Sequence, residues 1–213
     1  MWNAGAVRRV LALVLMAVAG TLHAQSDESL APPAASYPDS DPAAVRPDML
    51  DPQDRSARQN LEQVLRRAPK NVPAKVQNAW LLLARGTRQR GYDAFEDAIR
   101  SAPANSLPLR HAHWNYGWAL FAGADVPQAL EHWQLAAQLH GGHPTWVPTT
   151  FAVGLWLTGR SDLALDYYGA AVKSDPDRWG EASGLAEATR NWGANEKLAI
   201  EAVHAAWRAR NGG

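Results

Sequence analysis

Cysteine is absent from the 213 residues, which removes disulfides, thiol nucleophiles, cysteine metal sites and any lipid attached to a cysteine after a leader. No stretch sustains the apolar–polar alternation of a half-buried strand. The longest uninterrupted apolar run, Val10 to Ala19, is about half of what a membrane crossing needs, so stable membrane insertion is not expected. Catalytic signatures are missing as well. Gly141-Gly142 lies in a linker without the strand-to-helix context of a phosphate loop, and Ser183-Gly184 follows Glu181-Ala182 where a hydrolase motif needs glycine. Groups able to do acid–base work do not cluster, so the chain reads as a non-enzyme without a cofactor.

What is present begins with an export leader. Arg8 and Arg9 precede the apolar run, and Thr21-Leu22-His23-Ala24 places a small residue at a cleavage point after Ala24. Residues 1–24 are therefore expected to be a signal peptide and the mature chain to be periplasmic. Residues 25–54 hold six prolines and seven acids against one base, Arg46. That composition predicts an extended, mobile tail, with Met49 and Leu50 as its only adjacent large aliphatics able to dock. The body, 55–213, carries eighteen Lys/Arg and fourteen Asp/Glu, so 18 − 14 leaves +4. Its basic end, Arg66, Arg67, Lys70, Arg85, Arg88 and Arg90, suits an acidic partner or the chain's own acidic tail better than nucleic acid.

Within the body a phrase recurs at a fixed interval. Ala129, Trp133 and Ala136 return thirty-five residues later as Ala164, Tyr168 and Ala171, and again as Ala199, Val203 and Ala206. Gly91, Phe95 and Ala98 fit an earlier copy, and Ala57, Leu61 and Val64 a lone preceding helix. Breaks at Gly86, Gly123, Gly159 and Trp192-Gly193 divide each unit into two helices, with Asp125, Ser161 and Asn195 as caps for the second. The expected pairs span 72–103, 110–144, 145–177 and 179–210. A period of this length marks stacked helical pairs, none of which can bury its apolar face alone.

The string Phe151-Ala152, Leu155, Gly159, Ala164, Tyr168, Ala171 and Pro176 resembles the tetratricopeptide repeat, and Trp114, Tyr116-Gly117, Leu120, Ala129, Trp133 and Ala136 match it in the preceding pair. Glu187 departs from the pattern, standing where Gly117 and Ala152 occupy the helix crossing. The resemblance covers about two thirds of the chain. It implies an all-α fold, a right-handed α-solenoid of about four tetratricopeptide-like pairs plus one preceding helix. It also implies that the first helix of each pair lines a concave face.

Nine of the ten tryptophans lie in the body. Laid on the family pattern, Trp80, Trp114, Trp118, Trp146, Trp156 and Trp192 match groove-facing positions, with His111 and Asn115 as polar neighbours. Large aromatics at helical spacing are also what a core contains; Trp118→Ala would then cost ~3–5 kcal/mol, and little if the ring lines an open groove. His111 with His113, and His140 with His143, lack carboxylates at useful spacing and read as surface groups without a metal. The last helix has no following repeat to cover it, so Trp207 marks a surface for self-association or partner docking. The expected function is a non-catalytic interaction module, a scaffold or adaptor binding a protein segment in a tryptophan-lined groove. A glycan-binding accessory of envelope or cell-wall assembly and a structural subunit of an envelope complex stay open.

Overall fold

Helices make up nearly all the regular structure of residues 30–212, the part of the chain that the structure, a computed structural model, describes. The leader expected over 1–24 lies outside these residues. After an extended segment come α1 (Arg55–Arg67), α2 (Val72–Ala84), α3 (Arg88–Ser101), α4 (Leu107–Ala122) and α5 (Val126–His140). They are followed by α6 (Val147–Leu157), α7 (Ser161–Ser174), α8 (Pro176–Trp179), α9 (Ala182–Ala188) and α10 (Ala194–Arg210). Among the described residues no helix is long and apolar enough to cross a membrane.

Local chemistry explains the helix starts. Asp54, Asn71, Ser106 and Asp125 each accept a backbone N–H of the following turn, satisfying donors that have no partner within the helix. Pro73, Pro108, Pro127 and Pro148 stand in first turns, where a missing N–H costs little. Ser161 and Asn195, expected as caps, are instead inside their helices, which start after Arg160 and Gly193.

Helices α2 and α3, α4 and α5, and α6 and α7 pack as neighbouring pairs. The recurring bulky positions Phe95, Trp133, Tyr168 and Val203 are all fully buried, each flanked by a small residue such as Ala98, Ala136 or Ala171. At Gly117 a β-carbon would run into the Trp133 indole, so glycine there lets α4 and α5 approach with the ring between them. The fourth pair, expected over 179–210, departs from this plan. Its first half is broken into α8 and α9 at Glu181, whose backbone is extended, and α10 packs on α6 and α7. At the crossing position Glu187 is exposed and paired with Arg190 at 2.7 Å, where the earlier pairs bury Gly117 and Ala152. Close approach shifts to Gly184, where a β-carbon would strike the Asp177 carbonyl.

Trp207 is half-buried against Tyr168 and Gly169 of α7, so it serves the contact between α10 and the preceding pair. The outward apolar residue on α10 is Leu198, which is 65% exposed. The larger correction concerns the tail. Residues 32–54 form no helix and turn at Asp41–Ala44 and Asp51–Asp54, but they lie against the helices: Tyr37 and Ala43 are buried, and Leu50 packs on Leu61, Ala74 and Leu81 while Met49 stays exposed. We call residues 37–47 the strap.

Candidate binding groove

The strap crosses the face formed by α2, α4 and the start of α6, running against the order of the repeats. Its burial alternates: Tyr37, Asp39 and Asp41 turn inward and Pro38 and Ser40 outward, the period of an extended backbone, and a turn closed by the Ala44 N–H on the Asp41 carbonyl at 3.1 Å then leaves Pro42 outward and Ala43 buried. Near its start the Tyr37 N–H donates to Ser174 Oγ at 3.1 Å, at the wall of the cavity described below. Asp39 then pairs with the linker before α6: its N–H donates to the His143 carbonyl at 3.1 Å and its carbonyl accepts the Thr145 N–H at 2.9 Å. The two prolines fall at outward positions, where the ladder requires no donor.

Asp41 is the first specific anchor. Its carboxylate, with no exposed surface, accepts Arg110 Nε at 3.0 Å, Trp146 Nε1 at 3.0 Å and the Ala43 N–H at 2.9 Å. A buried charge is tolerable only when so paired and bonded. Two residues on, the Ala43 carbonyl sits 2.9 Å from His111 Nδ1. A carbonyl can only accept, so Nδ1 carries the hydrogen. Burial is the main influence on this imidazole and pushes its pKa down, against the upward effects of the Ala43 bond and the Asp41 charge. Asn115, also fully buried, donates to the Val45 carbonyl at 3.1 Å and accepts Trp80 Nε1 at 3.0 Å.

Arg46 is the second anchor. Its guanidinium lies 4.7 Å from the Trp118 ring centre and 5.9 Å from that of Trp80, and it bonds Glu196 Oε1 at 2.8 Å. Glu196 is nearly buried and its other oxygen accepts the Gly193 N–H at 3.0 Å. A planar cation held between indole faces and a carboxylate is the arrangement arginine suits and lysine does not. Through this pair the strap ties the first repeats to the start of α10.

Beside the strap remains a cavity of about 540 Å³. Trp114, Trp118, Trp146, Trp192 and Trp179 contribute to its wall, with Thr149 and Asn191 among its polar groups and Arg178 lying over the Trp179 ring. The indoles hold one another edge to face: Trp118 is 5.5 Å from Trp192 and 4.8 Å from the core Trp133. Trp114 and Trp118 are 8% and 2% exposed, so they are core residues as well as groove floor. Their buried Nε1 atoms meet no protein acceptor, and the rings act here through their faces and edges.

Of the six tryptophans expected to line a groove, four thus surround the cavity and Trp80 lies under the strap. Trp156 is outside both; seven residues beyond Thr149, it shares that side of α6 but sits ~10 Å further along the axis. His111 and Asn115 are at the site. The surface reading of the other histidines fails for His113, which is buried with its Nδ1 2.8 Å from that of His132. Only one of those facing nitrogens can carry a hydrogen. Burial, then the neighbouring His113, hold the His132 pKa down to about 4. Tyr37, Asp41, Arg46, Arg110, Trp179 and Glu196 were not anticipated. The one signal that points to the first three is the alternate placing of Pro38 and Pro42. Among the described residues no group of three or more metal-ligating side chains comes together.

Compared with protein-family models, curated proteins and solved structures, the chain matches none.

Proposed function

We propose that this chain is a non-catalytic interaction module of the bacterial periplasm, a right-handed tetratricopeptide-type solenoid whose tryptophan-lined face takes an extended segment of a partner protein. The observation that carries the reading is the strap itself. The face engages an extended segment through its backbone at Asp39, Ala43 and Val45 and through its side chains at Asp41 and Arg46. Reading backbone for affinity and alternate side chains for specificity is how extended peptides are recognised elsewhere. The helices that form the groove are ordered before a partner arrives, so the cost on this side of the complex is the release of the strap.

A chain without cysteine allows a direct test. Asp39→Cys with Pro144→Cys, at the paired backbone positions, would lock the strap by a reducible disulfide. Envelope proteins captured by the wild type should be lost from the locked form and recovered on reduction. Equal capture by the locked form would place binding elsewhere.

One observation favours a second reading, a glycan-binding accessory: the cavity beside the strap has indole walls and polar groups at its edge, a combination suited to a sugar ring. Quenching of tryptophan fluorescence by oligosaccharides and not by peptides would select it.

A further inference from the structure

We infer that the partner segment carries the strap's own chemistry, an aspartate, a small residue two positions later and an arginine five positions after the aspartate, and that it binds by replacing the strap. The inference rests on the segment-binding reading above and specifies its partner.

Each position is selected by a different physical constraint. The aspartate pocket is closed, with the Asp41 side chain fully covered and facing Arg110 and the Trp146 indole N–H. Glutamate would be one methylene too long for it, and an amide would leave the guanidinium without its charge partner. Ala43 is fully buried, which admits little beyond a methyl group. The arginine position is defined by two indole faces and the Glu196 carboxylate, a site for a flat delocalised cation. Ser40 and Pro42 point outward and are free to vary. The hydrogen bonds at Asp39 and Val45 engage the backbone and fix the direction in which a segment lies, and the Asp39 carboxylate also accepts the His143 N–H at 2.6 Å.

Replacement is feasible because the strap is held mainly by polar contacts and buries few apolar side chains, so it opens locally at less cost than unfolding the helices. It is also gated. A tethered segment competes at an effective concentration of ~1 mM, so a free peptide with the same contacts binds the intact chain weakly. A partner that also fills the cavity beside Arg46, which the strap leaves open, gains contacts that the strap lacks.

The test uses a fluorescein-labelled synthetic peptide with the sequence of residues 36–49, added to the wild-type chain and to the Asp41→Ala/Arg46→Ala chain. In the double variant the strap has lost its anchors while the groove residues are intact. Circular dichroism and a melt check that the helices are retained, and elastase cleavage after Ala43 or Ala44 reports release of the strap. The peptide should bind the double variant at least ~10-fold tighter than the wild type, as removal of a tethered competitor requires. Peptides carrying Asp41→Ala or Arg46→Lys should each lose about 10-fold, as the loss of a charge-assisted contact predicts. Equal binding of the altered peptides would overturn the stated chemistry while leaving segment binding intact. Absence of any binding to a chain whose strap is cleaved would overturn both. Resistance of the double variant to cleavage would show that Asp41 and Arg46 are not the anchors. Dimers that exchange straps, seen by light scattering, would make a second copy the partner and overturn the inference.

Discussion

The paired helices and the strap that crosses them are held by opposite means. Between α4 and α5, Trp133 fills the space left by Gly117, and small and bulky residues interlock around it without a single hydrogen bond from the indole. Along the strap, three charged side chains and five backbone groups are bonded one by one to named partners, and little apolar surface is covered. Packing of the first kind is cooperative and intolerant of changed volume. Contacts of the second kind are separable and can be exchanged for equivalents in another chain. The frame therefore supplies the stability and the strap occupies the place where exchange is possible.

The largest effect that would sharpen this contrast is expected in the frame. Ala171 is 1% exposed in the recurring crossing position, and Ala171→Arg would force a guanidinium into a site without a partner, a cost above ~4 kcal/mol. A thermal melt should show cooperative loss of the helices, and a midpoint within a degree or two of wild type would break the distinction. Trp118→Ala comes next. Burial of this ring makes it frame as well as groove, so urea denaturation should show a loss of ~3–5 kcal/mol; an unchanged midpoint would return Trp118 to the groove alone.

A smaller effect is expected from acid. His132 has a folded pKa of about 4 against an ordinary 6.5. The fold thus favours its neutral form, and this contribution is complete above pH ~6.5 and lost as pH falls towards ~4. The loss is on the order of 2–3 kcal/mol at one unit per ~1.36 kcal/mol. Stability measured at pH 7 and 4.5 should fall less in His132→Gln than in wild type, and an identical fall would remove the buried pair as the cause. The smallest effect is expected on the outward side of the strap. Ser40→Ala should change stability by less than ~0.5 kcal/mol; a larger loss in the same denaturation assay would show that the alternation of inward and outward positions has been misassigned.

How far the sequence reveals this arrangement depends on the range of the contacts. Ala129, Trp133 and Ala136 pack within their own pair, so their spacing is visible as a period, and the helix pairs α2–α3, α4–α5 and α6–α7 follow from it. Glu187 marked the irregular fourth pair for the same reason. The strap's bonds join Asp41 to Arg110 and Arg46 to Glu196, separations of 69 and 150 residues that leave no local pattern. Its prolines and acids read as a loose tail because each acid's partner lies far off in the chain. His113 illustrates the limit on a single helix: spacing places it on a different side from His111, but only the fold shows that His132 faces it.

Residues 37–47 occupy the groove, a claim that hydrogen exchange read by mass spectrometry checks at the amides themselves. The amides of Tyr37, Asp39 and Ala43, each bonded in the structure, should exchange far more slowly than those of residues 48–53. Arg46→Ala should abolish that protection while leaving α4 and α5 unaffected. Exchange of the strap amides at the rate of an unstructured peptide in the wild-type chain would contradict the claim.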